Sequence, residues 1–407
     1  MSERGFIHQC SDEQALDAVA AQGSLTAYIG FDCTAPSLHV GNLLGIMVLR
    51  KLQQSGHKPI IVIGGGTTRI GDPSGTDKNR RILTDEEINI NIEGISQVFS
   101  RFLNIGDGPT DALIINNDLW LRELNYIDFL CEYGRHFSVN RMLTFDSVKL
   151  RLERDQSLSF IEFNYMVIQA YDFLELNQRY NCVLQMGGSD QWGNIINGIE
   201  LSRRVNGVNL FALTTPLLTT ASGTKMGKTE KGAVWLNEVD LSSYDYWQFW
   251  RNTDDSDVIR FLRLFTDLPP AEIDRLGMLQ GHEVNEAKKI LATEATRLAH
   301  GDEAAEQAAQ AAHSVFENNA PDDALPTYRV SKAILEQGLG LQEACRYAEL
   351  AASNSEARRH IRNKAVRVNN TLIEDEAARL YMSDLSIKDI IKLSVGKKRH
   401  ALIKVVD

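Results

Sequence analysis

The sequence predicts an α/β fold in three parts: a doubly wound, Rossmann-like parallel-sheet domain, then an α-helical domain and a small C-terminal α+β domain. Its 407 residues exceed the roughly 250–300 residues that one hydrophobic core accommodates. The first half alternates strand-like and helix-like patterns, after which an alanine-rich helical pattern gives way to a basic segment. We expect a sheet domain at 1–216, a linker at 217–243, a helical domain at 244–320 and a last domain at 327–407.

The first half supplies the elements of the parallel sheet. In order, the chain predicts the strand Leu25–Phe31, the helix Asn42–Gln54, and the strands Pro59–Ile63, Ala112–Asn116 and Cys182–Met186. Pro59–Ile63 is apolar throughout, as expected of a strand that is covered on both faces of a parallel sheet. Ligands bind such sheets at the carboxyl ends of the strands, so we expect the chemistry in the residues that follow each strand.

The second half predicts helices and then a small mixed domain. Asn285–His300 has clear helical periodicity, and Gly301 is a typical helix end. A polar segment at 318–323 predicts a linker. Further along, Val366–Ile373 predicts a β-hairpin whose turn begins at Asn369.

The net charge of −11 hides an asymmetry along the chain. Residues 327–407 contain 15 lysines and arginines against 10 aspartates and glutamates, whereas the rest contains 28 against 44. The last segment therefore carries a net charge of +5 on an otherwise acidic chain. This is typical of a protein whose tail touches a polyanion, although a chance imbalance in a small domain fits the charges equally well.

Composition also excludes several classes of protein. No window approaches the roughly 18 consecutive apolar residues of a membrane-spanning helix, and the N-terminal residues lack the apolar core of a signal peptide. The five cysteines are scattered singly, which argues against a zinc knuckle and against a disulfide framework. We therefore expect a soluble cytoplasmic protein with no membrane contact and no metal site of its own.

The first motif lies between a strand and a helix, at Asp32–Asn42. The unpaired N–H groups and the positive dipole end at the start of a helix can bind an anion such as a phosphate. Here Gly41 would let a nucleotide pack against the backbone, and His39 would donate to a phosphate oxygen. A histidine at a helix start is, however, more often structural than functional.

The second motif is a glycine-flanked loop, Ser222–Thr229, in which Lys225 and Lys228 can close over a departing pyrophosphate. A P-loop ATPase is a competing interpretation, because such proteins carry Gly-x-x-x-x-Gly-Lys-Ser/Thr. Counting back from Gly227, the first glycine of that pattern should stand at position 222, where the chain has a serine. An exposed basic turn also fits this segment taken alone.

Two further motifs place polar groups beside the predicted sheet. Tyr165, Gln169 and Asp172 are spaced i, i+4 and i+7, so they share one helix face that can present hydrogen-bonding groups to a small ligand. An ordinary exposed polar stripe explains the same spacing. The segment Gly187–Asn194 follows a strand directly, and its paired glycines let a ligand approach the backbone.

Together and in this order, the motifs resemble those of the bacterial-type tyrosyl-tRNA synthetases of class I. The segment from His39, His-Val-Gly-Asn, is similar to the signature His-Ile-Gly-His, and the segment from Lys225, Lys-Met-Gly-Lys-Thr, to Lys-Met-Ser-Lys-Ser. Gly187–Asn194 is close to the form found in the tyrosine enzymes. Ser355–Asn369 resembles a small RNA-binding module shared with a ribosomal protein. The resemblance covers nearly the whole chain.

The resemblance implies an enzyme that activates L-tyrosine with ATP to tyrosyl-adenylate and pyrophosphate and then transfers the tyrosyl group to the 3′ end of tRNA(Tyr). ATP is a substrate that brings Mg²⁺ with it, no prosthetic group is expected, and the chain would form a homodimer.

The resemblance also implies the residues of the site. Tyrosine would be bound by Tyr28, Asp72, Tyr165, Gln169, Asp172 and Gln191. ATP would be bound by Asp32, Gly41, Asn42, Gly188, Asp190, Lys225 and Lys228. Catalysis would involve Thr34, His39, Lys225, Lys228 and Thr229. RNA would be bound by Arg358, Arg359, Arg362, Lys364 and Arg367.

The implied pair Tyr28 and Asp172 has a clear physical sense. The carboxylate would accept a hydrogen bond from the tyrosine hydroxyl, and Tyr28 would donate one to it, whereas phenylalanine would leave both groups buried without partners. A tryptophan enzyme of the same class has no use for this pair and usually lacks the RNA module. An RNA-binding protein with an inactive enzyme body is a further alternative, but the signature loops are intact.

Two positions depart from the family pattern. Asn42 stands where the first signature has its second histidine. Its side-chain amide can still donate a hydrogen bond, so we expect a modest loss of activity or none. Thr76 stands where several relatives have a phosphate-contacting lysine, and Lys78 is a candidate replacement two residues later.

Overall fold

The computed structural model describes residues 1–73, 83–221, 223, 226–229, 232–317, 325–369, 371–385, 390–396 and 399–406. Predicted features that lie outside this description are Lys225, Thr76, Lys78, the linker segment 318–323 and the side chains of Lys228 and Thr229. The chain forms two compact units, Met1–Asp302 and Glu303–Asp407.

The first unit is built on a six-stranded sheet. Its strands are β1 (Gln9–Cys10), β2 (Thr26–Phe31), β3 (Lys58–Ile63), β4 (Leu113–Asn116), β5 (Cys182–Gly188) and β6 (Phe211–Thr215). They lie in the order β1-β6-β5-β2-β3-β4, and all neighbours are parallel except β1, which pairs antiparallel with β6. The four predicted strands are thus present within one or two residues of their expected ends, whereas β6 and the antiparallel edge strand β1 were not predicted.

The strand order creates a switch point between β2 and β5. From β2 the chain continues to β3 and β4 on one side, whereas β5 and β6 lie on the other side. The connections after β2 and after β5 therefore diverge and leave a crevice at the carboxyl ends of these two strands. Open α/β sheets bind ligands in such a crevice. The loops after Phe31 and Gly188 are thus placed where a ligand is expected.

Helices surround this sheet and continue beyond it. They are α1 (Glu13–Gln22), α2 (Val40–Gln54), α3 (Asp85–Phe102), α4 (Asp118–Leu121), α5 (Tyr126–Glu132), α6 (Val139–Met142), α7 (Asp146–Glu153), α8 (Phe160–Tyr180), α9 (Trp192–Asn206), α10 (Ser243–Arg251), α11 (Val258–Phe265), α12 (Pro270–Gly277) and α13 (Val284–His300). A two-stranded hairpin, β7 (Lys228–Thr229) with β8 (Gly232–Ala233), precedes α10. The described residues contain no helix with both the length and the apolar character that crossing a membrane requires.

Helix α8 is the main helix beside the central strands, and its ends follow from its sequence. At its start, Ser159 accepts from the amide of Glu162, whose carboxylate in turn accepts from the amide of Ser159. This reciprocal cap satisfies amides that have no partner within a helix. At its end, Asn181 adopts a left-handed conformation with φ 51°, a conformation that asparagine tolerates. Between the caps, apolar residues such as Phe173 are fully buried against the core.

The helical region that follows the sheet is tied to α2 by charge. Asp267 accepts from Arg50 Nε at 2.9 Å and also from Lys51 and Gln54. Burial alone would raise the pKa of Asp267, but the hydrogen bonds from Arg50 and Lys51 outweigh it and lower the pKa to about 2. The carboxylate is therefore charged at neutral pH and fixes the later turns of α2.

The second unit is a smaller α+β structure. Its elements are α14 (Asp302–Glu317), β9 (Thr327–Ser331), α15 (Lys332–Gln337), β10 (Leu339–Gly340), α16 (Leu341–Tyr347), α17 (Asn354–Arg362), β11 (Val366–Val368), β12 (Thr371–Leu372), β13 (Arg379–Leu380), β14 (Ile390–Val395) and β15 (Arg399–Val406). Five strands form a sheet in the order β12-β11-β14-β15-β9. The predicted hairpin is present as β11 and β12, with Asn369 at φ 45° in its turn. The second unit has its own hydrophobic core, in which Leu335, Ile361 and Ile403 are fully buried.

Candidate active site

A cavity of about 390 Å³ opens at the switch point of the first unit. Apart from Lys228 and Thr229, every site residue that the sequence predicted for this unit and that the structure describes lines this cavity. These residues are Tyr28, Asp32, Thr34, His39, Gly41, Asn42, Asp72, Tyr165, Gln169, Asp172, Gly188, Asp190 and Gln191. They come from segments up to 163 positions apart in the sequence, so it is the sheet topology that collects them.

One end of the cavity combines a buried carboxylate with a buried phenol. Asp172 is 4% exposed and accepts from Trp120 Nε1 at 2.7 Å and from Asn117 Nδ2 at 2.9 Å. Tyr28 is 1% exposed, and among the described residues its hydroxyl has no hydrogen-bond partner. A buried hydroxyl without a partner costs about 1–3 kcal/mol. This end of the cavity is therefore suited to a ligand that supplies a polar group.

The carboxyl of Asp172 has a raised pKa of about 7. Burial is the main cause, because it penalises the charged form, and the negative charges of Asp32 and Glu175 act in the same direction. The hydrogen bonds from Asn117 and Trp120 oppose them. Asp172 thus changes its charge near neutral pH, within the range where proteins work.

A second carboxylate, Asp32, lies at the carboxyl end of β2. It accepts from the hydroxyl of Thr67 at 2.8 Å and from the hydroxyl of Tyr165 at 3.2 Å. Asn117 donates to the Thr67 hydroxyl at 3.1 Å and so joins Asp32 to the Asp172 group. Burial, followed by the charges of Asp32 and Asp72, raises the pKa of Tyr165 well above its usual value, so its hydroxyl stays protonated.

A third carboxylate, Asp72, belongs to a chain of amides. Gln191 donates to Asp72 at 2.8 Å, and its amide oxygen accepts from Gln169 at 3.3 Å. Asn194 donates to Gln169 at 3.0 Å and to Gln191 at 3.2 Å. With Asp190, the wall of the cavity thus presents several carboxylates and neutral amides. Such a wall attracts a cationic group such as an ammonium.

The opposite side of the cavity is the start of α2, where His39 caps the helix. Its Nδ1 accepts from the amide of Gly41 at 3.0 Å, while Asn42 accepts from the amide of His39 at 3.2 Å. Since Nδ1 is the acceptor, the proton of the neutral ring is on Nε2, which can donate to a ligand. Asn42 therefore replaces a histidine of the family signature with a residue that closes a capping box.

The predicted set of unpaired amides at this helix start is not present. The amide of Val40 donates to Val234, that of Gly41 to the His39 ring, and that of Asn42 to the carbonyl of His39. The prediction was wrong for two reasons: His39 itself accepts from the amides of Gly41 and Asn42, and the segment after the second signature folds back so that Val234 accepts from Val40. The backbone amides of Val40, Gly41 and Asn42 thus all have partners within the protein.

The two signature motifs lie against each other. A β-carbon added at Gly41 would come within 3.2 Å of the Met226 carbonyl and 2.7 Å of the His39 ring. A β-carbon added at Gly227 would come within 3.1 Å of the Gly41 nitrogen, and Gly227 has φ 115°. Both glycines are therefore required by close approach, which places the backbone of the second signature against the start of α2.

The predicted RNA-binding residues lie in the second unit. Arg358, Arg359, Arg362, Lys364 and Arg367 are all exposed on α17 and the segment that follows it. Some of this charge is balanced locally, since Glu376 lies 2.9 Å from Arg362 and Glu374 lies 3.0 Å from Lys364.

Sequence reasoning missed several residues of the site, above all Asn117, Trp120, Thr67 and Asn194. Asn117 had a usable signal, because it follows the predicted strand Ala112–Asn116 directly. Trp120 had none, since its role depends on the fold of α4 beside α8. Among the described residues, no three histidines, cysteines, aspartates or glutamates converge as a metal site would require.

Comparison with known proteins assigns the family. The model of the class I tRNA synthetases for tryptophan and tyrosine matches residues 20–317. A tyrosine–tRNA ligase of Rhodospirillum rubrum is 61% identical over 99% of this chain and 96% of its own length. The chain belongs to the tyrosyl-tRNA synthetase family.

Two further relatives agree with this assignment. A tyrosine–tRNA ligase of Mesorhizobium japonicum is 59% identical over 99% of this chain and 97% of its own length. The crystal structure of a C-terminally truncated mitochondrial tyrosyl-tRNA synthetase of Aspergillus nidulans is 29% identical and superposes with a TM-score of 0.69, covering 77% of this chain and 92% of that one. The predicted resemblance to bacterial-type tyrosyl-tRNA synthetases is confirmed.

The hydrogen bond from Trp120 to Asp172 leads to a prediction about stability. Trp120→Phe should lower the unfolding free energy by about 1 kcal/mol more at pH 8 than at pH 5, because a hydrogen bond to a carboxylate is worth more than one to a neutral acid. The sign follows from the pKa of about 7, because folded Asp172 is mostly neutral at pH 5 and mostly charged at pH 8, where the lost donor matters more. In both proteins the folded-state pKa lies above the unfolded-state value. The stability linked to neutral Asp172 is therefore complete below the unfolded-state pKa and is lost as pH rises through the folded-state pKa.

Urea unfolding of the wild type and the variant at the two pH values measures this difference. Trp250→Phe is a matched control, since Trp250 is also buried but packs among the rings of Phe261 and Phe265 and not on a carboxylate. An equal loss of stability at both pH values for Trp120→Phe would contradict the prediction.

Proposed function

We infer that the chain activates L-tyrosine with ATP to tyrosyl-adenylate and pyrophosphate, and then transfers the tyrosyl group to the 3′ end of tRNA(Tyr). The observation that carries this inference is the buried pair of Tyr28 and Asp172 at one end of the cavity. The substrate hydroxyl would donate to the Asp172 carboxylate and accept from Tyr28, whose hydroxyl otherwise has no partner among the described residues. Such a pair favours tyrosine over phenylalanine and over tryptophan.

The rest of the cavity fits the rest of the substrate. The substrate ammonium would be bound by Asp72, Tyr165 and Gln169, with Gln191 next to the substrate carboxylate. The hydrogen bonds from Gln191 to Asp72 and from Gln169 to Gln191 fix these groups before a ligand arrives. Fixed groups reduce the entropy cost of aligning the reacting atoms.

The nucleotide would occupy the part of the cavity between β5 and the start of α2. Asp32, Gly188 and Asp190 would contact the sugar and phosphate of ATP or adenylate, and Gly41 with Asn42 would lie along the nucleotide. Gly188 has no side chain to obstruct that approach, and a β-carbon there would come within 2.6 Å of the Asp190 carboxylate. Mg²⁺ would arrive with ATP as part of the substrate, and no prosthetic group is needed.

The first chemical step is an in-line displacement. A carboxylate oxygen of tyrosine attacks the α-phosphorus of ATP, and the bond to the pyrophosphate oxygen breaks. Thr34 and His39, together with Lys225, Lys228 and Thr229, would stabilise the charge that accumulates on the leaving pyrophosphate. In the second step, a terminal ribose hydroxyl of the tRNA attacks the tyrosyl carbonyl and AMP leaves. No residue of the chain forms a covalent intermediate.

We further propose that the second unit binds the tRNA and that the protein is a cytoplasmic homodimer. The five exposed cations Arg358, Arg359, Arg362, Lys364 and Arg367 support the first statement. Large apolar side chains that are about half exposed or more support a dimer, because they cluster in one stretch of the first unit. They are Leu119, Tyr126, Ile127, Val139, Leu150, Leu152, Phe160 and Ile161. Exposed apolar surface of this kind marks protein–protein contacts.

Pyrophosphate exchange into ATP tests the central proposal. The wild type should catalyse exchange that depends on tyrosine, with little exchange when phenylalanine or tryptophan replaces it. Tyr28→Phe should reduce kcat/KM for tyrosine by roughly tenfold, because one hydrogen bond to the substrate hydroxyl is lost. The preference for tyrosine over phenylalanine should fall by the same factor. Exchange with tryptophan at the rate seen for tyrosine would refute the proposal.

The role of the tail can be separated from that of the cavity. Removing the residues after 326 should leave tyrosine-dependent exchange unchanged and reduce tRNA charging by roughly tenfold or more, because the phosphate contacts are lost. In the full chain, Arg359→Glu should weaken charging and make it more sensitive to salt. Lys332→Glu, which reverses an exposed charge on α15, is the control. Undiminished charging by the truncated chain would exclude the tail as the tRNA-binding part.

The homodimer is tested by mass in solution. Sedimentation equilibrium should give twice the 45.6 kDa of the chain. Ile127→Asp should shift the mass toward that of one chain, since a buried unpaired charge at an interface is costly. Val239→Asp is a matched control, because Val239 is 98% exposed and lies outside the apolar stretch. A wild-type mass of one chain at micromolar concentration would contradict the dimer.

A further inference from the structure

A second buried carboxylate lies one helical turn from Asp172 and has no part in the proposed mechanism. Glu175 is 7% exposed on α8, three residues after Asp172. It accepts from the hydroxyl of Tyr171 at 2.5 Å and pairs with Arg179, four residues further along the same helix. Residues three and four apart lie on one face of a helix, so the three charged groups are neighbours.

The two carboxylates differ in how their charge is balanced. Glu175 has a cation, Arg179, whereas the partners of Asp172 are the neutral donors Asn117 and Trp120. Buried charges without a cation are costly and tend to be neutralised by protonation. The charge state of Asp172 is therefore sensitive to any charge that is left unbalanced at Glu175.

Arg179 also reaches the indole ring that donates to Asp172. Its guanidinium carbon lies 5.8 Å from the centre of the Trp120 ring, within the range of a cation–π contact. The same indole is 2% exposed and donates through Nε1 to Asp172. A continuous chain of contacts thus runs from Glu175 through Arg179 and Trp120 to the carboxylate of Asp172.

We propose that the Glu175–Arg179 ion pair sets the tyrosine specificity of the cavity without touching the substrate. Arg179 is a positioning residue: it holds Trp120 where the indole donates to Asp172, and it balances Glu175 so that Asp172 remains a carboxylate that can accept from a phenol. This proposal rests on the proposed function and names residues that support its specificity-determining pair. Tyr171, whose ring lies 4.8 Å from that of Tyr133, fixes Glu175 from the other side.

The electrostatics act in the same direction as the geometry. The charge of Glu175 contributes to the raised pKa of Asp172, after burial and the charge of Asp32. Among the described residues, the titratable groups that face Asp172 are Tyr28 from β2, Asp32 after β2, and Tyr165 and Glu175 from α8. Glu175 pairs with Arg179, and neither residue lines the cavity, so the charge of this pair can be changed without altering the cavity wall.

The test follows the titration of Asp172 in the free protein. The chain has five tryptophans, which can be replaced by 5-fluorotryptophan, and Trp120→Phe identifies the fluorine resonance of Trp120. The midpoint of its shift with pH reports the charge on Asp172. Glu175→Gln should lower this midpoint, because it leaves the Arg179 charge unbalanced, and Arg179→Met should raise it, each by roughly half a unit or more.

The controls separate this effect from a general loss of structure. The double variant Glu175→Gln/Arg179→Met should return the midpoint toward that of the wild type. Arg179→Lys keeps the positive charge, so its midpoint should also stay close to that of the wild type. Arg203→Met breaks a similar ion pair, Arg203 with Glu200 at 3.0 Å on α9, and should leave the midpoint unchanged. Shifts in the same direction for the two single variants, or no shift in either, would overturn the proposal.

A second measurement links the pair to specificity. Arg179→Met should reduce the preference for tyrosine over phenylalanine in pyrophosphate exchange by about two- to fivefold, as expected for the loss of a half-exposed cation–π contact. The Arg203→Met control should keep the wild-type preference. If the opposite midpoint shifts are present but no tyrosine-dependent exchange occurs, the proposed function fails while the coupling stands. If exchange occurs and the midpoints do not move, the coupling alone fails.

Discussion

The structure of the site depends on one buried carboxylate. Asp172 lies in the core beside the central strands and is held by two neutral donors, Trp120 and Asn117. A buried carboxylate is costly unless its hydrogen bonds are satisfied, so the surrounding elements must be fixed in place. Helix α8 carries Asp172, the segment around α4 carries its donors, and β2 brings the Tyr28 hydroxyl to the same end of the cavity. The proposed preference for tyrosine depends on this arrangement.

The other groups of the cavity are linked to that carboxylate. Asn117 also donates to Thr67, which donates to Asp32, and Asp32 in turn accepts from Tyr165. The network therefore joins Asp172, Asp32 and Tyr165 through shared donors. Hydrogen bonds in such a chain polarise one another, so these groups form one connected unit of the cavity wall.

The start of α2 shows how a departure from the family signature is accommodated. Asn42 replaces a histidine, yet its side chain completes the cap of α2 that His39 begins. The first amides of this helix already donate to groups of the protein, so the backbone there has no donor left for an anion. Contact between the two signatures, through Gly41 and Gly227, then explains why both positions need glycine.

The sequence alone indicated the fold class, four of the six strands of the first sheet and, through its resemblance to a family, many of the residues that line the cavity. Periodicity, apolar runs and the spacing of Tyr165, Gln169 and Asp172 are local properties, and local physics is sufficient to interpret them. Tertiary structure decided what those residues contact. Trp120 meets Asp172 and Arg179 only because α4 lies beside α8, and the partner of the Val40 amide, Val234, is almost 200 residues away. Such long-range contacts leave no periodic pattern in a single chain, so only the folded arrangement of α4, α8 and β2 could reveal them.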